Sequence, residues 1–266
     1  MLSVLDTMIH YMTLIQTIIL SIIEGITEFL PISSTGHMIL ASKILGITPT
    51  EFTKSFEIII QLGAIGAVFF LYVKKFIAHP EIIKPLLFSF IPTAIVGLVL
   101  YKVIKQFLLG NPYVAVAALF LGGIVLLFID KIIKPKPDTN KLTTLTPIKA
   151  IIIGLCQSLS VIPGVSRAAA TIIGAMGVGM SKVEAVEYSF LLALPTMLAA
   201  TGLDLLKTGF SFSSSEWMLI GIGMVVSFVT ALVTIRGFLS YIKHSSFFGF
   251  GVYRILIAVS YLFLVG

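Results

Sequence analysis

Apolar runs of about 18–22 residues recur along the whole chain, and they strongly limit the folds that it can adopt. A run of this length forms a helix that crosses a bilayer, whereas spanning strands alternate in polarity and are about half as long. Only 11% of the residues are charged, about half the share in soluble domains, and the mean hydropathy is +1.09. The chain is therefore expected to be an all-α, polytopic integral membrane protein with no soluble domain.

Six apolar segments have the length of a transmembrane helix. They lie at about residues 55–73, 85–101, 112–130, 183–206, 216–235 and 247–265. Shorter apolar segments with prolines between them precede the first and the fourth: 8–30 with 33–46, and 148–162 with 168–180. The second member of each pair is too short to span a bilayer, so each pair is predicted to be a re-entrant helical hairpin. Each half then contains one hairpin and three transmembrane helices.

The two halves resemble an internal repeat. A shift of 132 positions superposes Pro31 on Pro163 and Ser34 on Ser166, and the order of elements repeats with it. Three spans per half reverse the orientation, so we predict an inverted repeat within one membrane domain. Its halves are about 1–133 and 147–266, joined by a basic cytoplasmic linker at 134–146. The turns of the two hairpins, here called the tips, would meet near the midplane, where such repeats bind substrate.

The distribution of Lys and Arg predicts the orientation. If the basic linker is cytoplasmic, eleven of these residues lie on its side of the membrane and five on the other. The first hairpin then enters from outside and the second from inside.

Two carboxylates precede the first tip. Glu24 and Glu28 are four residues apart, so both project from one helix face. Acidic groups in a bilayer are costly unless they face water, a cation or a partner. They are a structural pair, a divalent cation site, or a metal ligand together with a proton acceptor. Mg²⁺ is typically held by one or two carboxylates together with substrate phosphate.

Three hydroxyl residues, Ser33, Ser34 and Thr35, follow Pro31 and open the next short helix. One of them could simply cap the helix, but three exceed that need. The free N–H groups of a helix start also bind phosphate, which makes this turn a candidate anion site. His37 lies three residues after Ser34. It is either a structural residue or the base for a nucleophilic serine.

Arg167 is the cation of the second tip, directly after Pro163-Gly164-Val165-Ser166. An arginine inside a membrane segment indicates function by default, and its guanidinium matches phosphate oxygens. The simpler alternative is an ion pair with Glu24 or Glu28.

Five further polar residues carry weaker signals. Gln157 and Ser160 could contact either a substrate or only backbone groups near the second tip. Glu57 and Gln61 lie near the outer end of a span, where exposure explains them. Arg254 lies inside the last span and could extend its long side chain inward.

Paired carboxylates, hydroxyls at a helix start, a histidine and an arginine are together typical of phosphoryl transfer. Inside a membrane, this combination predicts a lipid phosphate as the substrate.

Residues 24–37, EGITEFLPISSTGH, resemble the first signature of the bacterial undecaprenyl-diphosphate phosphatases of the bacitracin-resistance type. Residues 163–171, PGVSRAAAT, resemble the second signature, and the likeness extends over the whole chain in length and order. One departure is visible at Ala168 and Ala169, where the family usually has Ser-Gly. Because a hydroxyl and some backbone freedom are lost there, we expect a changed affinity or rate.

The resemblance implies hydrolysis of the terminal phosphate of undecaprenyl diphosphate, which recycles the carrier for peptidoglycan synthesis and confers bacitracin resistance. It also implies a divalent cation, Mg²⁺ with Ca²⁺ as an alternative, and an outward-facing site in the bacterial plasma membrane. The implied catalytic residues are Ser34, His37, Glu28 and Glu24, of which Glu24 and Glu28 are also the metal ligands. The implied substrate-binding residues are Arg167, Ser33, Thr35, Gly36, Ser166 and Gly164. The nucleophile is either Ser34 or a water activated by His37 or Glu28.

The main alternative is a transporter or flippase for a polyprenyl phosphate lipid, because broken hairpins in inverted repeats are typical of secondary transporters. Transport needs Arg167 but gains little from a Ser34–His37 pair. The other membrane phosphatase superfamily uses two histidines, and only His37 lies in this site. The expected partners are the lipid substrate and membrane lipids rather than nucleic acid, and a homodimer is left open.

Overall fold

A computed structural model describes residues 12–100, 112–134, 141–208 and 212–265. These ranges contain no β-strand. Their ten longer helices are α1 Leu14–Thr27, α2 Ser34–Ile44, α3 Glu51–Ala78, α4 Ile83–Val99, α5 Pro112–Ile132, α6 Pro147–Ser158, α7 Arg167–Gly177, α8 Lys182–Thr208, α9 Ser214–Ile242 and α10 Phe248–Val265. Short helical turns occur at Pro80–Ile82, Lys141–Thr144 and Leu159–Val161. Residues 135–140 of the predicted linker lie outside the described residues.

Five described helices are long and apolar enough to cross a membrane: Glu51–Ala78, Pro80–Val99, Pro112–Ile132, Lys182–Leu206 and Ser214–Ile242. The predicted all-α, polytopic membrane protein is thereby confirmed. The sixth predicted span corresponds to α10, of which the segment Phe248–Phe263 counts among the shorter apolar helices. Local signals set several starts: Thr13, Thr50 and Ser213 each form a capping box before α1, α3 and α9.

Both predicted hairpins are present. The first consists of α1 and α2, joined by the first tip (residues 28–35), and the second of α6 and α7, joined by the second tip (residues 160–167). Pro31 and Pro163 lie in these turns, where proline disfavours helical geometry in the residue before it. Ser33 and Ser166 precede α2 and α7 with φ of 71° and 75°, a region that residues other than glycine rarely adopt.

The tips correct the predicted repeat register by one residue. Because Ser33 and Ser166 are equivalent caps, the structural shift is 133 positions, and Ser34 corresponds to Arg167 rather than to Ser166. The reason is local: the second turn has one more residue between its proline and its cap. The inverted relation of the two halves stays a prediction.

The first helix of each hairpin packs against the other half of the chain. α1 lies along α9, and α6 lies along α4, while α5 pairs with α10 and α3 with both α8 and α9. Glycine permits these close approaches: a Cβ on Gly25 of α1 would lie 2.7 Å from the Ser227 carbonyl, and one on Gly154 of α6 would collide with the Ser89 carbonyl. The interlocked packing brings the two tips together.

Candidate active site

The two tips meet around a cavity of about 210 Å³. Its polar wall comes from both tips, and α3 and α8 complete it. The lining residues are Glu28, Ser33, Ser34, Thr35, Gln61, Ser160, Ile162, Pro163, Gly164, Ser166, Arg167, Met197 and Ala200. The predicted meeting of the tips is therefore observed. Of the site residues predicted from sequence, seven lie on this wall, while Glu24, Gly36 and His37 lie behind it.

Glu28 joins the two tips. Its Oε1 accepts hydrogen bonds from Arg167 Nη2 at 2.9 Å and Arg167 Nε at 3.3 Å, and its Oε2 accepts one from Ser34 Oγ at 2.5 Å. The side chains of the ion pair are only 10% and 7% exposed, so it is shielded from solvent screening. Arg167 Nη1 donates to the Ser189 carbonyl at 2.8 Å, which fixes the guanidinium from behind. One carboxylate thus contacts both a hydroxyl and a cation.

His37 is buried and fully engaged. Its Nδ1 lies 2.8 Å from the Ser33 carbonyl oxygen, and its Nε2 lies 2.8 Å from the Tyr253 hydroxyl. A carbonyl only accepts, so Nδ1 carries the proton and Nε2 accepts from Tyr253. The two rings also stack, with centroids 5.5 Å apart and planes at 4°. Neither bond reaches Ser34, so the structure pairs Ser34 with Glu28 and not with His37.

Glu24 is the least satisfied of the polar side chains at the site. It is 1% exposed, and neither carboxylate oxygen has a hydrogen-bond partner among the described residues. Its charged neighbours include Glu28, Glu57 and Arg167. A buried carboxylate needs a counter-charge or donors, and hard cations prefer carboxylate oxygens. This pair of carboxylates therefore fits a divalent cation that takes its remaining ligands from phosphate and water.

Within the ranges that the structure describes, no group of three or more His, Cys, Asp or Glu side chains is arranged to hold a metal ion. Glu24 and Glu28 are two carboxylates, a number typical of Mg²⁺ sites that also bind substrate phosphate.

The two helix starts differ in their free donors. Ser33 makes no side-chain capping bond, so the first N–H groups of α2 have no side-chain partner. Thr35 is exposed toward the cavity, and Gly36 packs closely under Leu119. In the second tip, Ser166 Oγ accepts from Ala169 N at 3.2 Å and caps α7 itself. The anion-binding helix start predicted from the hydroxyl run is thus available at the first tip.

The weaker sequence candidates behave differently. Ser160 and Gln61 line the cavity, although Gln61 was expected to be simply exposed. Glu57 accepts a hydrogen bond from Ser42 Oγ at 2.9 Å, and Gln157 is buried in a network with threonines.

Arg254 extends its side chain inward, as the sequence suggested. Its side chain is fully buried and binds backbone carbonyls around both tips. The only feature of the sequence that pointed to a role for Arg254 was its position within an apolar span.

Comparison with known proteins gives consistent matches over nearly the whole chain. A family model described as bacitracin resistance protein BacA matches residues 17–260. A relative from Aquifex aeolicus, named undecaprenyl-diphosphatase, is 52% identical over 250 residues, which cover 94% of this chain and 98% of the relative. A relative of the same name from Sulfurihydrogenibium sp. is 47% identical over 251 residues, covering 94% and 98%. A third, from Persephonella marina, is 43% identical over 255 residues, covering 96% and 100%. The chain therefore belongs to the bacitracin resistance protein BacA family.

Proposed function

We propose that this protein hydrolyses the terminal phosphate of undecaprenyl diphosphate in the cavity between the two tips. The observation that carries the proposal is the contact of Glu28 with Ser34 and Arg167 on the cavity wall. A hydroxyl, a proton acceptor and a phosphate-binding cation are the groups that phosphoryl transfer requires. The names of the relatives support the same substrate and reaction.

Glu28 is the proton acceptor in the first step. Ser34 Oγ gives its proton to Glu28 Oε2 and attacks the terminal phosphorus. The new bond joins Oγ to phosphorus, and the bond from phosphorus to the bridging oxygen breaks, which releases undecaprenyl phosphate. The departing phosphate takes this proton from Glu28 Oε2, which leaves the carboxylate free for the second step. A water then attacks the phosphoserine and gives a proton to Glu28. Glu28 passes that proton to Ser34 Oγ as the bond between Oγ and phosphorus breaks, which frees inorganic phosphate and the Ser34 hydroxyl.

Direct attack by water remains the second route, in which Glu28 takes the proton from water and Ser34 orients it. The contacts of His37 support a positioning role in either route. Because both ring nitrogens are bound to Ser33 and Tyr253, His37 holds the backbone of the first tip.

Arg167 and the start of α2 bind the phosphates. The guanidinium now pairs with Glu28, and a phosphate entering the cavity competes for its donors. Release from this pair leaves Glu28 Oε1 without its guanidinium partner, while Oε2 stays in contact with Ser34 Oγ. The uncapped N–H groups after Ser33 add a second set of donors for phosphate oxygens.

Glu24 and Glu28 would hold the divalent cation, Mg²⁺ or Ca²⁺. When bound, this ion neutralises phosphate charge as the transition state forms. Glu24 contributes two oxygens without other partners, which supports its role as the principal ligand.

The cavity suits a headgroup better than a whole lipid. Pockets for drug-sized ligands usually measure about 300–1,000 Å³, more than this cavity provides. Ile162, Met197 and Ala200 form its apolar side, where the polyprenyl chain would leave toward lipid. We place the protein in the bacterial plasma membrane with the site facing outward, as the Lys and Arg distribution supports.

A flippase for the same lipid is the second candidate, favoured by the meeting of two broken helices. Transport does not require the bond between Ser34 Oγ and Glu28. Hydrolysis without transport, transport without hydrolysis, and both together are distinguishable in one set of samples.

The test is phosphate release from undecaprenyl diphosphate by the purified protein with Mg²⁺, compared with a chelator. Ser34→Ala, Glu28→Gln and Arg167→Ala are expected to abolish most release, while Ser240→Ala at an exposed position of α9 is the matched serine control. No release by well-folded wild type would overturn the phosphatase proposal, and lipid transfer across reconstituted vesicles would then support the flippase.

A further inference from the structure

Arg254 on α10 contacts both tips at once. Nη1 donates to the carbonyls of Pro31 and Val165, each at 3.1 Å. Nη2 donates to Gly164 at 2.7 Å and Ala118 at 3.0 Å, and Nε donates to Leu119 at 3.2 Å. A guanidinium has five N–H donors, and here all five are used on backbone carbonyls of three separate segments.

The geometry around the guanidinium suits arginine alone. A lysine has three donors on one atom and could not reach carbonyls on both tips and α5. Gly122 of α5 leaves the space for this arrangement, because a Cβ at that position would collide with the guanidinium. The chain thus has both the donor group and the gap that admits it.

The charge of Arg254 has no partner of opposite sign. The side chain is 0% exposed, and no ion pair of the described residues includes it. A buried cation is costly unless an anion compensates it. Three of the carbonyls that it binds, those of Pro31, Gly164 and Val165, belong to the two tips, and Gly164 itself lines the cavity. An anionic ligand in that cavity would supply the missing charge.

We infer that Arg254 is a positioning residue of the phosphate site: it fixes the separation of the two tips and adds positive potential to the cavity. The inference rests on the proposed phosphatase function. Arg254 does not line the cavity, so it acts through Pro31, Gly164 and Val165 and not by direct contact with substrate. The adjacent residue, Tyr253, holds His37, so neighbouring positions of α10 support the first tip at two points.

The test compares Arg254→Lys and Gly122→Ala with wild type, with Arg236→Lys on the exposed face of α9 as the matched control. Arg254→Lys keeps the charge but loses at least two of the five bonds. Gly122→Ala keeps Arg254 but displaces its guanidinium, and it favours the helix because alanine has the higher propensity. The measurements are kcat, KM and competitive inhibition by inorganic phosphate, made on monodisperse protein well below its unfolding temperature.

Both variants are expected to lose about 10–100-fold in kcat/KM, since a displacement of about 1 Å at a distance can cost that much. We also expect KM and the inhibition constant of phosphate to rise, whereas a purely structural defect lowers the active fraction and leaves both constants unchanged. The double variant should lose less than the product of the single losses, because both changes act on one contact.

The inference is overturned if either single variant is folded and its phosphate inhibition constant equals that of wild type. Absence of turnover in wild type and in the Arg236→Lys control would instead overturn the proposed function. In that event, phosphate binding to wild type and Arg254→Lys, measured by thermal shift, still tests Arg254: equal shifts contradict its role.

Discussion

The two tips have similar backbone conformations, but their side chains make different contacts. Each places a serine with positive φ before an 11-residue helix. Ser166 of the second tip satisfies its own helix start, whereas Ser33 of the first tip leaves its helix start open. At the next position, Ser34 turns to Glu28 within the first tip, while Arg167 reaches across to the same carboxylate. In the proposed function, the first tip therefore supplies the nucleophile, its proton acceptor and a set of phosphate donors, and the second tip supplies the phosphate-binding arginine.

The helices behind the tips show the same contrast. Glu24 of α1 and Gln157 of α6 lie 133 positions apart, as do the two cap serines. Among the described residues, the carboxylate oxygens of Glu24 have no hydrogen-bond partner, whereas Gln157 bonds to Thr93 at 2.9 Å, Thr196 at 3.2 Å and Thr171 at 3.3 Å. Equivalent positions thus hold a group available to a ligand in one half and a closed structural network in the other.

The largest difference is expected between Ser34 of the first tip and Ser166 of the second tip. Ser34→Ala should reduce phosphate release by at least about 10³-fold, because it removes the nucleophile or the group that orients water. Ser166→Ala removes a helix cap worth about 1 kcal/mol and should cost less than about tenfold in rate. Initial rates at saturating substrate measure both. Similar losses in the two variants would contradict the assignment of chemistry to the first tip.

Arg167→Lys should have the next largest effect. The variant keeps a positive charge but loses the paired bonds to Glu28 and the bond to the Ser189 carbonyl, so we expect about a 10²-fold loss in kcat/KM. Arg236→Lys, on an exposed surface of α9, is the control for arginine replacement. A loss shared by both variants would point to a general effect of the substitution in detergent.

Glu24→Gln and Gln157→Leu separate ligand binding from structure. Glu24→Gln should raise the Mg²⁺ concentration for half-maximal activity by about tenfold or more without lowering the unfolding temperature. Gln157→Leu should lower the free energy of unfolding by about 2 kcal/mol and leave the Mg²⁺ dependence unchanged. Mg²⁺ titrations and thermal unfolding of both variants give the two readings. An unchanged Mg²⁺ midpoint in Glu24→Gln would remove Glu24 as the ligand.

The smallest effect concerns the strained backbone. Ser33→Gly should raise the free energy of unfolding by about 1 kcal/mol, because glycine adopts this positive φ without strain and no capping bond is lost. Ser166→Gly removes the same backbone strain but loses the hydrogen bond from Ala169 N, so the free energy of unfolding should change little. Paired unfolding temperatures in one detergent measure the difference, and equal shifts would show that the two caps are equivalent.

The helices and the meeting of the tips could be predicted from the sequence because their signals are local. Apolar length identifies α3, α4, α5, α8 and α9 without any knowledge of packing. The prolines, hydroxyls and carboxylates of the first tip lie within 14 residues, so their chemistry is visible before their geometry. Even here, the predicted shift between the two repeats was one residue too small, because the composition of the second turn does not reveal its extra residue.

The rest of the site depends on contacts between distant residues. Arg254 binds carbonyls 223, 135 and 89 positions away, and Tyr253 binds His37 from 216 positions away. Every residue has a backbone carbonyl, so no pattern of residue types in the sequence predicts such a hydrogen-bond partner. The hydrogen-bond partner of the Ser34 hydroxyl was equally hard to predict. Helical spacing favoured His37, but α1 ends at Thr27, and the turn that follows places the hydroxyl next to Glu28.

The division of roles between the tips is tested most directly by separating kcat from KM. Phosphate release by Ser34→Ala and Arg167→Lys would be measured over a range of undecaprenyl diphosphate concentrations at saturating Mg²⁺. We predict that Ser34→Ala lowers kcat while its KM stays within about threefold of wild type, and that Arg167→Lys raises KM by about tenfold or more. An unchanged KM in Arg167→Lys, or an equal rise in KM in both variants, would contradict the account.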